Sequence, residues 1–339
     1  MITVNAEHDY QVKFFDSASE VFKNIPQDRE LVYVSTEALF KQIPLRIPEE
    51  RLILIPDGEN QKSFSTVDYL TSEFARRGLT RSSRVVAVGG GATTDVVGFA
   101  ASIYMRGVEW IAIPTSLSAM VDAAIGGKTG INIPNGKNLV GTFHSPTAVL
   151  ISSEFLKTLD ERDIKAGMAE VIKCGFISDP EILDLARDNY QANLEELIFR
   201  SVAVKAKIVS KDFKESDDRE ILNYGHTLGH AIESHSQYRL RHGEAISIGL
   251  IYAAELSSRF GKLDSTIAHL HRELLGKIGL PIKYSVSAWE ALFALMNSDK
   301  KRRSNSIRFV TLDGLGVTNR NDSITAEQLE KTYLDCIAE

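Results

Sequence analysis

Five short apolar runs in the first half of the chain constrain its fold most strongly. Continuous apolar runs separated by amphipathic or glycine-bearing stretches are typical of parallel strands covered by helices on both faces. The runs are ELVYVS at 30–35, RLILIP at 51–56, RVVAVGGG at 84–91, EWIAIPTS at 109–116 and TAVLIS at 147–152. They predict an α/β nucleotide-binding domain with a Rossmann-like parallel sheet over residues 1–155.

The second half of the chain has a different pattern. Helical spacing dominates over residues 156–339, where SIRFVTL at 306–312 is the one stretch that predicts a strand. A chain of 339 residues is long enough for about two domains. We therefore expect a mainly α-helical second domain over 156–339.

Composition excludes several classes of protein. The 45 acidic and 39 basic residues give a net charge of −6 without a basic tail, so we expect no nucleic-acid partner. The N-terminus lacks a signal-peptide pattern, and the sequence has no run of 18 apolar residues, so we expect a cytoplasmic protein without a membrane partner. Cys174 and Cys336 form no CxxC pair, so a metal would need histidine and carboxylate ligands.

Polar groups follow three of the five runs, where a parallel sheet binds its ligand. The second run leads into DGENQKS and the fourth into PTSLSAMVDAAIGGKTG. The third ends in Gly89–Gly91, where glycines let the backbone approach a phosphate, before a helix predicted to begin near Thr93–Asp95. A tight turn with a helix cap would explain this one stretch equally well, since GxGxxG is absent. The three endings together favour a dinucleotide.

A glycine-rich stretch, GGKTGINIPNGKN, follows at 126–138. Its spacing is not that of a Walker A loop. We expect a flexible backbone that presents Lys128, Lys137 and Asn138 to an anion, although a solvated lysine loop is the alternative.

The segment LNYGHTLGHAIESHSQYRLRHGEA, residues 222–245, contains three histidines. On a helix His226 and His230 share a face, which suits a transition metal such as Zn²⁺. The segment lacks HExxH, which argues against a metalloprotease. His242 could fold back beside His226. A further ligand could come from KAGMAEVIKCGF, where Glu170 and Lys173 share a buried face, unless these two form only a structural ion pair.

Together these motifs resemble the 3-dehydroquinate synthases of the sugar phosphate cyclase superfamily, in order and spacing, from about residue 50 to 312. The resemblance implies a dehydroquinate synthase-like fold whose second domain binds metal and substrate. It implies a zinc ion, or cobalt in its place, held by Glu170, His226 and His242, with His230 as a catalytic group. Glu233 and Glu244 are then candidates for orienting a ligand or capping a helix.

The resemblance also implies an NAD site in the first domain. Its residues would be Asp57, Glu59, Lys62, Gly90, Gly91, Ala92, Thr93, Thr94, Asp95, Thr115, Ser116, Asp122, Lys128, Lys137, Phe155, Leu156, Lys157 and Thr158. Two positions depart from the family pattern, because Ser116 stands for a threonine and Ala123 for a serine. The acidic residue usual after the first strand is replaced by the run Ser35–Glu37.

A phosphorylated keto acid, 3-deoxy-D-arabino-heptulosonate 7-phosphate, is the implied substrate. Its implied contacts are Lys128, Asn138, Lys173, Lys205, Arg219, Asn223, Arg106 from a neighbouring subunit of a homodimer, and Lys300 or Lys301. NAD⁺ would oxidise one hydroxyl, phosphate would leave, NADH would return the hydride, and an aldol step would close the ring of 3-dehydroquinate. The alternatives are another sugar phosphate cyclase, a metal-dependent polyol dehydrogenase that releases NADH, and a catalytically silent module.

Overall fold

The computed structural model describes residues 1–43, 47–300 and 307–339, except for the side chains of 298–300. The chain divides into two compact units. Unit 1 consists of Met1–Asp160 and Lys205–Glu215, and unit 2 of Glu161–Val204 and Ser216–Glu339.

A seven-stranded sheet forms the centre of unit 1. Its strands are β1 (Ile2–Val4), β2 (Tyr10–Phe14), β3 (Leu31–Thr36), β4 (Leu52–Ile55), β5 (Arg84–Gly89), β6 (Glu109–Pro114) and β9 (Ala148–Ile151), in the order β1-β2-β9-β6-β5-β3-β4. All neighbours are parallel except β1 and β2. The five predicted strands are confirmed. β1 and β2 were missed because they are short and carry polar residues between their buried ones.

Four helices of unit 1 follow the strands. They are α1 (Ala18–Lys23), α2 (Glu37–Gln42), α3 (Phe64–Arg76) and α4 (Gly91–Ile103). Helix α4 begins two residues before the predicted start at Thr93, because Gly90 already takes the extended conformation of an N-cap. A short π-helix, Ala119–Ala123, follows β6.

The glycine-rich stretch is a β-hairpin, so the prediction of a flexible loop was wrong. Strands β7 (Lys128–Ile133) and β8 (Gly136–Phe143) pair antiparallel, with Gly130 opposite Gly141. A Cβ on Gly141 would lie 2.1 Å from the carbonyl oxygen of Thr129. These glycines therefore allow close pairing of two strands and do not make the backbone loose.

Unit 2 is mainly helical, as predicted. Its elements include α5 (Glu161–Ile177), α6 (Glu181–Asn189), α8 (His226–His235), α9 (His242–Phe260), α10 (Ser265–Ile278), α11 (Trp289–Lys300) and α12 (Ala326–Cys336). Helix α7 (Leu194–Lys211) has residues in both units. The predicted late strand begins only at Phe309, as β10 (Phe309–Gly314), and pairs with β11 (Val317–Asn321). β11 was missed because its sequence, VTNRN, is largely polar. Among the described residues no helix is long and apolar enough to cross a membrane.

Candidate functional site

Lys62 connects several of the predicted cofactor-binding groups of unit 1. Its ammonium nitrogen lies 2.6 Å from Oδ2 of Asp95 and 3.7 Å from Oε1 of Glu59, and it also donates to Oδ1 of Asn138. The side chain is only 4% exposed. Burial raises the pKa of Asp95, and the charge of Lys62 opposes this shift. The buried ammonium group of Lys62 thus connects the segment after β4, helix α4 and the β7–β8 hairpin.

The glycine turn after β5 packs against the two positions that depart from the family pattern. A Cβ on Gly90 would lie 3.3 Å from Oγ of Ser116, and one on Gly91 would lie 3.1 Å from the Cβ of Ala123. Both departures therefore change the surface beside the backbone that was predicted to approach a phosphate.

The lysines predicted to bind anions in unit 1 each contact a carboxylate. Lys205 donates to the carbonyl and carboxylate oxygens of Asp122, and Lys128 forms an ion pair with Glu215. Lys137 Nζ lies 3.7 Å from Oε1 of Glu59, the carboxylate that also accepts from Asn132. The sequence prediction missed Glu215. No local spacing could identify it, because it lies 87 positions after Lys128.

The other predicted cofactor residues differ in exposure. Asp57 is exposed after β4, and Thr115 is buried after β6, where its N–H donates to the carbonyl of Gly89. Residues Ser153–Thr158 form a 3₁₀ helix that buries Phe155 and Leu156, so their side chains belong to the core. Lys157 and Thr158 are the last two residues of this 3₁₀ helix. Ala92 lies in the first turn of α4. The next two residues are buried: the hydroxyl of Thr93 donates to Gln61, and that of Thr94 donates to the carbonyl of Gly91.

Arg106, Lys300 and Lys301 are three further predicted substrate contacts. Arg106 is exposed and has a positive φ of 66°, directly after Met105 with a φ of 49°. Lys301 and the side chain of Lys300 lie outside the described residues.

In unit 2, three helices bring one carboxylate and two imidazoles together. Oε1 of Glu170 on α5 lies 3.5 Å from Nε2 of His226, the first residue of α8. The same oxygen lies 3.2 Å from Nε2 of His242, the first residue of α9. Glu170 is 1% exposed and forms an ion pair with Lys173, one turn further along α5. Burial acts to raise the pKa of Glu170, but Lys173 and then His226 outweigh it and hold this pKa well below its usual range.

Hydrogen bonds to the opposite ring nitrogens orient both histidines. Nδ1 of His226 lies 3.0 Å from the carbonyl oxygen of Tyr224, and Nδ1 of His242 lies 3.2 Å from Oε2 of Glu233. Because these oxygens accept, each Nδ1 carries a proton, and Nε2 is the ring nitrogen that faces Glu170. Burial lowers the pKa of His242, but hydrogen bonds to Glu170 and Glu233 outweigh it and raise this pKa to about 10, so a metal would bind in place of the proton on its Nε2. This is the arrangement in which histidine ligands are held for a metal. The prediction that Glu233 supports a ligand fits this geometry.

His230 lies beside this cluster and is exposed. Its ring centre is 5.1 Å from that of His226 and 5.9 Å from that of His242. His230, Glu233 and His242 also form a group that could hold an ion. The two groups share His242. An imidazole that keeps one proton offers a single lone pair, so only one of the two groups could hold an ion at a time. The buried carboxylate of Glu170 favours the first group.

Two glycines permit the approach of the three helices. Gly225, directly before His226, has a φ of +79°, and a Cβ there would lie 2.8 Å from the backbone nitrogen of Leu250. A Cβ on Gly243, directly after His242, would lie 1.8 Å from the carbonyl oxygen of Ala166 on α5. Both positions require glycine, because a side chain would push α8 or α9 away from its neighbour.

Glu244 caps the start of α9, which confirms one of its two expected roles. Its Oε2 accepts from the backbone N–H of Arg241 at 2.8 Å. Arg162 of α5 donates to both of its oxygens, at 2.6 and 2.7 Å. A salt bridge thus joins the start of α5 to the start of α9, close to His242 in sequence.

Arg219 and Asn223 lie on one 3₁₀ helix, Asp218–Asn223, directly before α8. Arg219 is 2% exposed. Arg320 of β11 fixes this helix by donating to Oε2 of Glu220 at 2.8 Å and to the carbonyl of Asp217 at 2.7 Å. The late hairpin therefore supports a segment that carries two predicted substrate contacts.

Two solved cyclases share this fold over almost the whole chain. One is 2-deoxy-scyllo-inosose synthase, solved with carbaglucose-6-phosphate, NAD⁺ and Co²⁺; it is 28% identical with a TM-score of 0.87, and the match covers 99% of both chains. The other is ValA, the 2-epi-5-epi-valiolone synthase of Streptomyces hygroscopicus subsp. jinggangensis 5008, solved with NAD⁺ and Zn²⁺; it is 26% identical with a TM-score of 0.86, and the match covers 99% of this chain and 98% of ValA. The fold is that of the sugar phosphate cyclases.

Sequence comparison identifies the family within this class. Family models for the N-terminal and C-terminal parts of 3-dehydroquinate synthase match residues 52–166 and 167–302. The 3-dehydroquinate synthase of Rhodococcus opacus (strain B4) is 50% identical over 324 residues, which cover 90% of this chain and 88% of that protein. The chain belongs to the 3-dehydroquinate synthase family. These relatives confirm the predicted activity.

Proposed function

We propose that this 3-dehydroquinate synthase works with a zinc ion bound by Glu170, His226 and His242. The observation that carries the proposal is that two imidazole Nε2 atoms face one carboxylate oxygen at 3.5 and 3.2 Å. Tetrahedral zinc with ligand bonds of about 2.0–2.1 Å would hold its ligand atoms about 3.3 Å apart. The two distances to Glu170 are thus close to the spacing of zinc ligands, and all three donor atoms lie within 4.8 Å of one another. A fourth position would be left for substrate.

Bound zinc would act as a Lewis acid towards the reacting oxygen of the substrate. Around it, Glu233 and the carbonyl of Tyr224 keep the two imidazoles in the orientation that binding requires. Lys173 compensates the buried charge of Glu170. His230 is exposed beside the ligands and is proposed to move a proton to and from the substrate.

NAD is the proposed cofactor of unit 1. Both solved cyclases were determined with NAD⁺. In this chain the turn at Gly90 and Gly91 opens helix α4, whose N-terminus suits a pyrophosphate. Lys62 contacts Asp95 of this helix and Asn138 of β8, and these contacts support a polar wall for the cofactor.

The proposed substrate is the heptulosonate phosphate, which carries both a phosphate and a carboxylate. Lys128 and Lys205 of unit 1 already bind the carboxylates of Glu215 and Asp122. We infer that the anionic groups of the substrate replace these carboxylates as partners of the two ammonium groups. Arg219 of unit 2 is a further proposed anion contact, and Arg106 is proposed to serve a neighbouring subunit of a homodimer.

An assay of inorganic phosphate release from 3-deoxy-D-arabino-heptulosonate 7-phosphate tests this function. We expect release that requires NAD, stops with a chelator and returns with Zn²⁺. The NADH absorbance should not accumulate, since each hydride returns to the same substrate. Steady accumulation of NADH would instead support a dehydrogenase, and release that the chelator does not change would contradict the metal assignment.

A further inference from the structure

A fully buried Tyr224–His271 pair lies behind the proposed metal site, and the catalytic chemistry does not use it. Tyr224 and His271 are both 0% exposed. The hydroxyl of Tyr224 lies 2.9 Å from Nε2 of His271, and the carbonyl oxygen of the same tyrosine lies 3.0 Å from Nδ1 of His226. One residue therefore contacts the ligand histidine through its backbone and His271 through its side chain.

The acceptors fix the direction of each hydrogen bond that links His271, Tyr224 and His226. Nδ1 of His271 lies 2.8 Å from the carbonyl oxygen of Ile267, which can only accept, so Nδ1 carries the proton. Nε2 of the neutral ring is then an acceptor, and the Tyr224 hydroxyl donates to it. His226 follows the same rule, because its Nδ1–H donates to the Tyr224 carbonyl and its Nε2 is left for the metal.

Helix α5 closes the chain of contacts. The ring of Phe176 stacks on His271 with their centres 3.3 Å apart and their planes within 9°. Phe176 lies six residues after Glu170 on the same helix. Helix α5 thus supplies the proposed carboxylate ligand and, through Phe176, also packs against His271, the partner of the Tyr224 hydroxyl.

We propose that Tyr224, held by His271 and Phe176, is a positioning residue that fixes the orientation and proton placement of His226 for metal binding. The inference rests on the proposed zinc site. A loose Tyr224 would let its carbonyl turn, since Gly225 next to it has a φ of +79° and restrains the backbone weakly. His226 could then rotate or carry its proton on the nitrogen that must bind the metal.

Tyr224→Phe tests this role, because it removes one hydroxyl and keeps the ring. Tyr252→Phe is the matched control. Tyr252 is also 0% exposed, its hydroxyl donates to the carbonyl of Leu329 at 2.8 Å, and it lies ten residues beyond His242 on α9. Both variants lose one buried hydrogen bond, so their melting temperatures should fall by similar amounts.

Zinc affinity separates the two variants. In competition with a chromophoric chelator, we expect Tyr224→Phe to raise the zinc Kd about tenfold, near the lower end of the effect of losing a partner that orients a ligand. The visible spectrum of the Co²⁺-loaded variant should also change, because that spectrum reports ligand geometry. Tyr252→Phe should bind zinc within about twofold of wild type, since distant sites act independently.

A second variant, Phe176→Leu, removes the stacked ring while both hydrogen-bonding partners remain. It should weaken zinc binding in the same direction. A wild-type zinc Kd and an unchanged Co²⁺ spectrum in a folded Tyr224→Phe would overturn the inference, and so would wild-type affinity in Phe176→Leu should Tyr224→Phe fail to fold. Failure of the wild-type protein to bind zinc would instead contradict the proposed function.

Discussion

Nε2 of His242 lies 3.2 Å from Oε1 of Glu170, although the two residues are 72 positions apart in the chain. The contact depends on the start of α9 meeting the middle of α5. It also gives the most direct test of the proposed metal site.

His242→Ala should lose zinc, because two donors remain where three are proposed. Elemental analysis of the purified variant measures this directly. His235→Ala is the control, since His235 lies on the neighbouring helix α8, is exposed and contacts Tyr284. Stoichiometric zinc in His242→Ala would remove His242 from the ligand set.

His230→Ala should retain zinc and NAD but release phosphate about a hundredfold more slowly or worse, because it loses a proton-transferring group and no proposed ligand. Phosphate release and zinc content must be measured on the same preparation. Full activity would refute the catalytic role. Loss of zinc would instead favour the alternative group of His230, Glu233 and His242.

Gly243→Ala should separate α9 from α5, because its new methyl group would lie 1.8 Å from the carbonyl oxygen of Ala166. We expect a loss of at least about 2 kcal/mol in the free energy of unfolding, together with weak zinc binding. Gly276→Ala is the matched control, because its methyl group would come no closer than 3.8 Å to Ile282. Equal stability of the two variants would show that α9 can shift without cost.

His271 should make stability depend on pH. Burial lowers its pKa to about 3, against about 6.5 when unfolded, so unfolding takes up a proton between these values. Its contribution to stability is complete above pH 6.5 and is lost progressively as the pH falls towards 3. Between pH 6.5 and 4.5, urea denaturation should show wild type losing about 2–3 kcal/mol more than His271→Phe. Parallel losses would contradict a neutral buried His271.

The sequence predicts groups that are neighbours along one element more readily than groups brought together by packing. Spacing alone placed Glu170 beside Lys173, because residues three apart share a helix face. The partnership of Tyr224 with His271 had no local signal, since it joins the turn before α8 to the middle of α10. The β7–β8 hairpin was missed for a related reason, because glycines that serve strand pairing resemble those of a loose loop.

Folding also depends on how the chain is divided between its units. Lys205–Glu215, within and just after α7, belong to unit 1 although they follow 44 residues of unit 2, Glu161–Val204. A fragment ending at Asp160 would therefore lack Lys205 and Glu215, the partners of Asp122 and Lys128. No single junction in a gene can exchange unit 1 of this protein intact, so recombination with a related enzyme needs three crossover points.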